Sequence, residues 1–316
     1  MNMKRIALLA VVFMVCGFSV YAQSEPQVYI VGYERVGERG ERPVYWLNGL
    51  KNVLPLLNPR NYGRAYAIAV SGSNVYIVGE DGWEGRDAVY WLNGSRVVLP
   101  KSSYSTYAYA IAISGSNVYI AGLDGDDAVY WLNDRRIVLP KQSEKAYASA
   151  IAVSGSDVYI VGRDGNDAVY WLNDRRIVLP KQSERAYAEA IAVSGSDVYI
   201  VGRDGNDAVY WLNDRRIVLP KQEYASARAV AVSGSDVYIV GLCDGPPVYW
   251  LNENIVVLPR QNRDMSAEAR GIAISGSDVY IAGIDMSNDN AAVYWLNGRR
   301  IALPGGRSAS GIAIIR

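Results

Sequence analysis

Histidine is absent from all 316 residues. That excludes the Ser-His-Asp triad, the histidine general base and every histidine-ligated metal site. Cysteine is nearly absent. Of the two, Cys16 lies in the leading apolar run, so a processed chain keeps only Cys243 and can form no internal disulfide. With no imidazole to activate it, Cys243 reads as a small core residue. Neither sign of charge is in excess, because 32 basic residues balance 32 acidic ones. No attraction to nucleic acid or to an anionic membrane follows. No cofactor is expected.

The chain opens with Lys4 and Arg5, an apolar run from Ile6 to Val20, and Val20-Tyr21-Ala22 at the cleavage positions. This is the layout of a secretory signal, too short to cross a bilayer, which needs roughly 20 apolar residues. Residues 1–22 are therefore assigned to a signal peptide and 23–316 to one domain, with no transmembrane segment in the mature chain. Periplasm, outer-membrane surface and extracellular space are all open, and acylation at Cys16 is an alternative fate.

Val-Tyr-Trp recurs seven times, ending at Trp46, Trp91, Trp131, Trp171, Trp211, Trp250 and Trp295. A spacing near 40 residues marks a repeat architecture. In the unit from Ala150 to Pro180, four apolar runs (Ala150 to Val153, Val158 to Val161, Ala168 to Leu172, Ile177 to Leu179) alternate with Ser-Gly-Ser, Asp-Gly-Asn and Asn-Asp turns. Each unit should be a four-stranded antiparallel meander. Its strands are apolar at nearly every position, as burial on both faces requires. The expected fold is all-β: a seven-bladed β-propeller in which Ala150 and Ala152 suit a crowded inner strand, and Arg175, Arg176 and Pro180 mark an exposed outer edge. The first apolar run, Val28 to Gly32, matches a second strand, and Gly311 to Ile314 matches a first strand. The C-terminal strand should complete blade 1.

The chain thus resembles the β-propeller superfamily. Its Val-Tyr-Ile-Val-Gly and Tyr-Trp-Leu-Asn units are similar to repeats in uncharacterised exported proteins of Gram-negative bacteria. The resemblance implies fold and compartment without an activity. The Gly-His and Trp-Asp pairs of WD40 repeats, kelch diglycines and Asp-boxes are missing.

Asp124, Asp126 and Asp127, Asp164 and Asp167, and Asp204 and Asp207 recur at one hairpin position. Turn geometry accounts for them better than a calcium loop or a catalytic carboxylate pair. The strand aromatics read as interior packing, with their polar ends satisfied between blades. Ala150 to Gln182 and Ala190 to Gln222 are identical, so interest falls on departures from the unit. The segment between second and third strands is longest at Tyr33 to Pro43, Glu80 to Ala88 and Ile284 to Ala292, in neighbouring blades 1, 2 and 7. The interblade connections Leu56 to Ala67 and Arg260 to Gly271 lie beside it. This sector supplies the candidate ligand-binding residues Tyr33, Arg35, Arg39, Arg42, Arg60, Tyr62, Trp83, Arg86, Arg263 and Asp289, a set rich in hot-spot residue types. Drift in tolerant loops would leave the same trace. The expected function is non-enzymatic recognition of a protein or cell-envelope component through one loop face, by a monomer. A lectin-like protein with several glycan sites is the alternative, and an enzyme using carboxylates alone a remote one.

Overall fold

The structure is a computed structural model that describes residues 25–37, 40–58, 62–82, 85–286 and 290–316. The signal segment with Cys16, and the candidates Arg39, Arg60, Trp83 and Asp289, lie outside the described residues.

Twenty-eight strands form seven separate four-stranded sheets, each an antiparallel meander. Blade 4 is typical: an inner strand Ala146–Ser154, a second Asp157–Asp164, a third Asp167–Leu172 and an outer strand Arg175–Val178. Blade 1 takes its inner strand, Ser308–Ile315, from the C-terminus, which pairs with Gln27–Val36. Each inner strand packs on those of the two neighbouring blades, and the contacts between Ala267–Ser275, Ser308–Ile315 and Gly63–Ser71 close the ring. The chain is a seven-bladed β-propeller.

Local chemistry explains the repeat. At the third-to-outer turn of blade 4, Asn173 and Asp174 have φ of 49° and 65°, the left-handed pair that matches strand twist. The Asn173 side chain accepts a 2.9 Å hydrogen bond from the Val158 amide and donates one of 2.8 Å to Asp157, which ties the second strand to this turn. All seven strand tryptophans are fully buried. Each indole N–H donates to a proline carbonyl of the preceding blade, as in Trp171 to Pro140 at 2.7 Å; the closing contact runs from Trp46 to Pro304 at 3.2 Å.

The recurrent aspartates are structural clasps. Asp164 is completely buried, accepts hydrogen bonds from the Gln142 and Ser143 amides at 2.7 and 2.9 Å, and meets Arg176 at 2.6 Å. Asp124 with Arg136 and Asp204 with Arg216 repeat the clasp. Burial alone would raise these three carboxyls, but the backbone and side-chain donors outweigh it and hold them below the usual carboxylate range. Blade 1 keeps the ion pair as Glu34 with Lys51, whereas blade 6 replaces it with Cys243 and Ile255, and there Asp244 accepts the amides of Gln222, Glu223 and Tyr224 instead.

Two strand assignments differ from the sequence reading. Tyr33 to Pro43 is mostly an extended hairpin, paired from Tyr33↔Pro43 to Val36↔Gly40. The inner strand of blade 4 starts at Ala146 and not at Ala150, because an irregularity at Ser149 interrupts the period that marks a strand.

Candidate ligand site at the central channel

Each inner strand carries one residue more than its partner. In blade 4, Ala148 faces Gly162 and Ala150 faces Val161, leaving Ser149 as a β-bulge. The same slip leaves out Tyr66, Tyr109, Glu189, Arg228 and Arg270 in blades 2, 3, 5, 6 and 7, and Ser310 in blade 1. The bulge crowds the second strand, where only glycine fits: a Cβ on Gly162 would stand 1.8 Å from the Tyr147 carbonyl oxygen. The Val-Gly or Ala-Gly pair in every second strand is the imprint of this bulge.

Because the inner strands surround the axis, the bulged residues converge. Two cavities of 390 and 470 Å³ meet at Glu189 and between them are lined by all seven. They form the channel mouth, on the face where the interblade connections enter the inner strands.

One half of the mouth is ionic. Arg228 donates from Nε to Glu268 at 2.6 Å and from Nη1 to Glu189 at 3.4 Å, linking blades 5, 6 and 7. Arg270 donates to the other Glu268 oxygen at 2.9 Å and to the Ser308 hydroxyl at 2.7 Å. Burial would push the Glu268 carboxyl up, but Arg270 and Arg228 more than offset it and keep the group charged.

The other half is aromatic. Tyr109 lies 5.6 Å from Tyr66 in a tilted pair and 5.7 Å from Tyr107 in a stacked one. Wholly buried Glu80 accepts from the Tyr66 hydroxyl at 2.8 Å and from Arg86 at 2.6 Å. Burial and then Glu80 raise the Tyr66 hydroxyl far above its ordinary value. Arginines alternate with tyrosines around the rim. Arg64 lies over Tyr33 and Tyr62, Arg86 over Tyr62 and Tyr107, Arg163 over Tyr147 and Tyr187, and Arg203 over Tyr187 and Tyr224. Arg64 also pairs with Glu41.

The residues expected from sequence divide among several places. Tyr33, Tyr62 and Arg86 reach the rim through these stacks. Arg42 instead joins Lys51 on Glu34, each at 2.5 Å, and Arg35 is exposed on the same hairpin. Arg263 lines a separate 430 Å³ cavity with Val257, Leu258 and Pro259. The bulge residues were missed, although a signal existed. Across Ala146–Gln182 and Ala186–Gln222 the two duplicated blades differ at one position, Ser149 against Glu189.

No protein-family model matches the chain, and no curated protein matches it in sequence. Two solved structures are similar in shape, both of the extracellular domain of BT4673 from B. thetaiotaomicron, described in one as a one component system and in the other as a hybrid two component system. The first superimposes with a TM-score of 0.52 at 9% identity over 82% of this chain, the second with 0.53 at 9% over 81%. The likeness is one of fold. This chain spans 37% of each of those structures.

Proposed function

We propose that this is an exported, non-enzymatic binding module that receives one ligand at the mouth of its central channel. The observation that carries the reading is the bulge ring. Within duplicated blades nearly everything is copied, yet the side chain turned to the axis is not: serine and glutamate follow two tyrosines, two arginines precede a serine. Structural roles in a symmetric ring would repeat. A single asymmetric surface on a rigid frame is what recognition of one ligand requires.

The same ring weighs against several equivalent glycan sites at the mouth, because no two neighbouring interblade positions offer the same set of groups. Glu268 is clamped by Arg228 and Arg270, which hold its carboxyl below the usual range instead of raising it as a general acid needs, and this favours binding over catalysis. Export is supported by the leader-like residues 1–22 and by the extracellular character of the structurally similar BT4673 domain. A protein or cell-envelope component remains the expected source of the ligand.

Thermal unfolding in fractions of envelope extract tests the reading, since a ligand that binds only the folded state raises the melting temperature. A fraction should stabilise the parent and leave Ser149→Trp, which fills the mouth, unchanged. Equal stabilisation of both would place the ligand elsewhere.

A further inference from the structure

Resting on that reading, we infer that the blade 4–5 side of the mouth is a subsite for a carboxylate that carries a neighbouring hydrogen-bond donor. The cation is Arg163. Among the described residues Arg64, Arg86, Arg228 and Arg270 each meet a glutamate and Arg203 donates to the Tyr224 hydroxyl at 2.8 Å, whereas Arg163 meets no carboxylate and makes no hydrogen bond. Its guanidinium is held over Tyr147 at 4.1 Å and faces Tyr187 at 5.2 Å, while it lines the 390 Å³ cavity with Ser149 and Glu189. Stacking fixes the plane and leaves the N–H edge free, the arrangement that binds a carboxylate in bidentate fashion with little ordering cost.

Charge balance narrows the ligand further. Glu189 and Glu268 share Arg228 and Arg270, so these four groups cancel, and Arg163 is left as the surplus charge of this cavity. A single negative charge matches it; a doubly charged phosphate would also face Glu189. Among the described residues the Glu189 carboxylate meets only Arg228, at a long 3.4 Å, so it retains capacity to accept from a ligand hydroxyl or ammonium. Ser149, one blade away, can donate or accept. The cavity volume lies within the small-molecule range of roughly 300–1,000 Å³. Sugar acids and amino acids both present this chemistry.

Calorimetric titration of the purified protein with galacturonate against galactose, and alanine against alaninol, tests the assignment. At least one carboxylate should bind about tenfold or more tightly than its twin without the carboxylate, more weakly at higher salt, and the pair that responds identifies the source. Arg163→Gln should abolish the preference, Arg163→Lys should restore part of it, and both should lower thermal stability only slightly, because the two ring contacts are lost but no hydrogen bond of the fold is. Glu189→Ser should weaken galacturonate or alanine while sparing acetate. No carboxylate preference, or a preference unchanged in Arg163→Gln, overturns the inference. If a neutral probe binds the parent but not Ser149→Trp, the channel mouth stands as the binding site and only the carboxylate assignment fails.

Discussion

Replacing Arg176 by isoleucine should cost about 3 kcal/mol or more, because a buried charge that loses its partner typically costs 3–5 kcal/mol. Asp164 is 0% exposed and Arg176 11%. Removing the guanidinium leaves the carboxylate the Gln142 and Ser143 amides, which moderate the loss without supplying a cation. Asp164→Cys alone should cost somewhat less, since it strands both amides but leaves Arg176 a 3.9 Å contact with Asp167. The molecule contains its own control in blade 6, where Cys243 and Ile255 stand at these positions and Asp244 takes over the amides. The combined variant Ser143→Gly, Asp164→Cys, Gly165→Asp, Arg176→Ile transplants that solution. Gly165 has φ of 61° and Asp244 of 53°, so the backbone suits aspartate, and Ser143→Gly is included because a Cβ at 165 would otherwise stand 2.4 Å from the Ser143 hydroxyl and 3.0 Å from its Cβ. It should cost less than either single substitution, as apolar replacements of buried pairs often do. Urea unfolding at neutral pH gives the free energies, and the double-mutant coupling should reach about 2 kcal/mol or more. Additive costs would refute the clasp as a coupled unit.

Two pH effects follow from the same structure. Asp124, Asp164 and Asp204 have folded pKa values below those of the unfolded chain, so their stabilisation is complete above about pH 4 and is lost as the pH falls through the folded values. Urea midpoints should decline below that pH, and less steeply in the transplanted variant; parallel declines would count against the clasp. At the alkaline end, burial and then Asp134, Asp174 and Asp214 push the hydroxyls of Tyr90, Tyr130 and Tyr170 up to about 12. Their raised values add stability that is full below about pH 10 and disappears as the pH rises toward the folded values. Asp174→Asn should bring Tyr130 down in an absorbance-detected phenolate titration, and an unchanged curve would show that burial acts alone.

Much of the fold was legible because the propeller states its rules seven times. Asn-Asp and Asn-Gly turns, buried Val-Tyr-Trp and the displaced first strand at Gly311 to Ile314 fixed blade number and closure without long-range information. The candidate site was less legible for a physical reason. A bulge breaks the two-residue period by which a strand is recognised, so Tyr147 to Ser149 read as connection, and the axial residues were hidden just outside the recognised repeat. Gly162 carried the clue, since a glycine inside a buried strand marks a close approach. Loop length led instead to blades 7, 1 and 2, where Tyr33, Tyr62 and Arg86 do reach the rim, but the Arg42 charge is spent on Glu34.

The most direct measurement is ligand binding to a Ser149→Cys variant before and after its thiol is capped with a bulky methanethiosulfonate, and again after reduction. Cys243 is buried, so the parent treated in the same way is the control. Binding that disappears on capping and returns on reduction, in the variant alone, is the result expected if the bulge ring is the recognition surface. Full binding to the capped protein would contradict it.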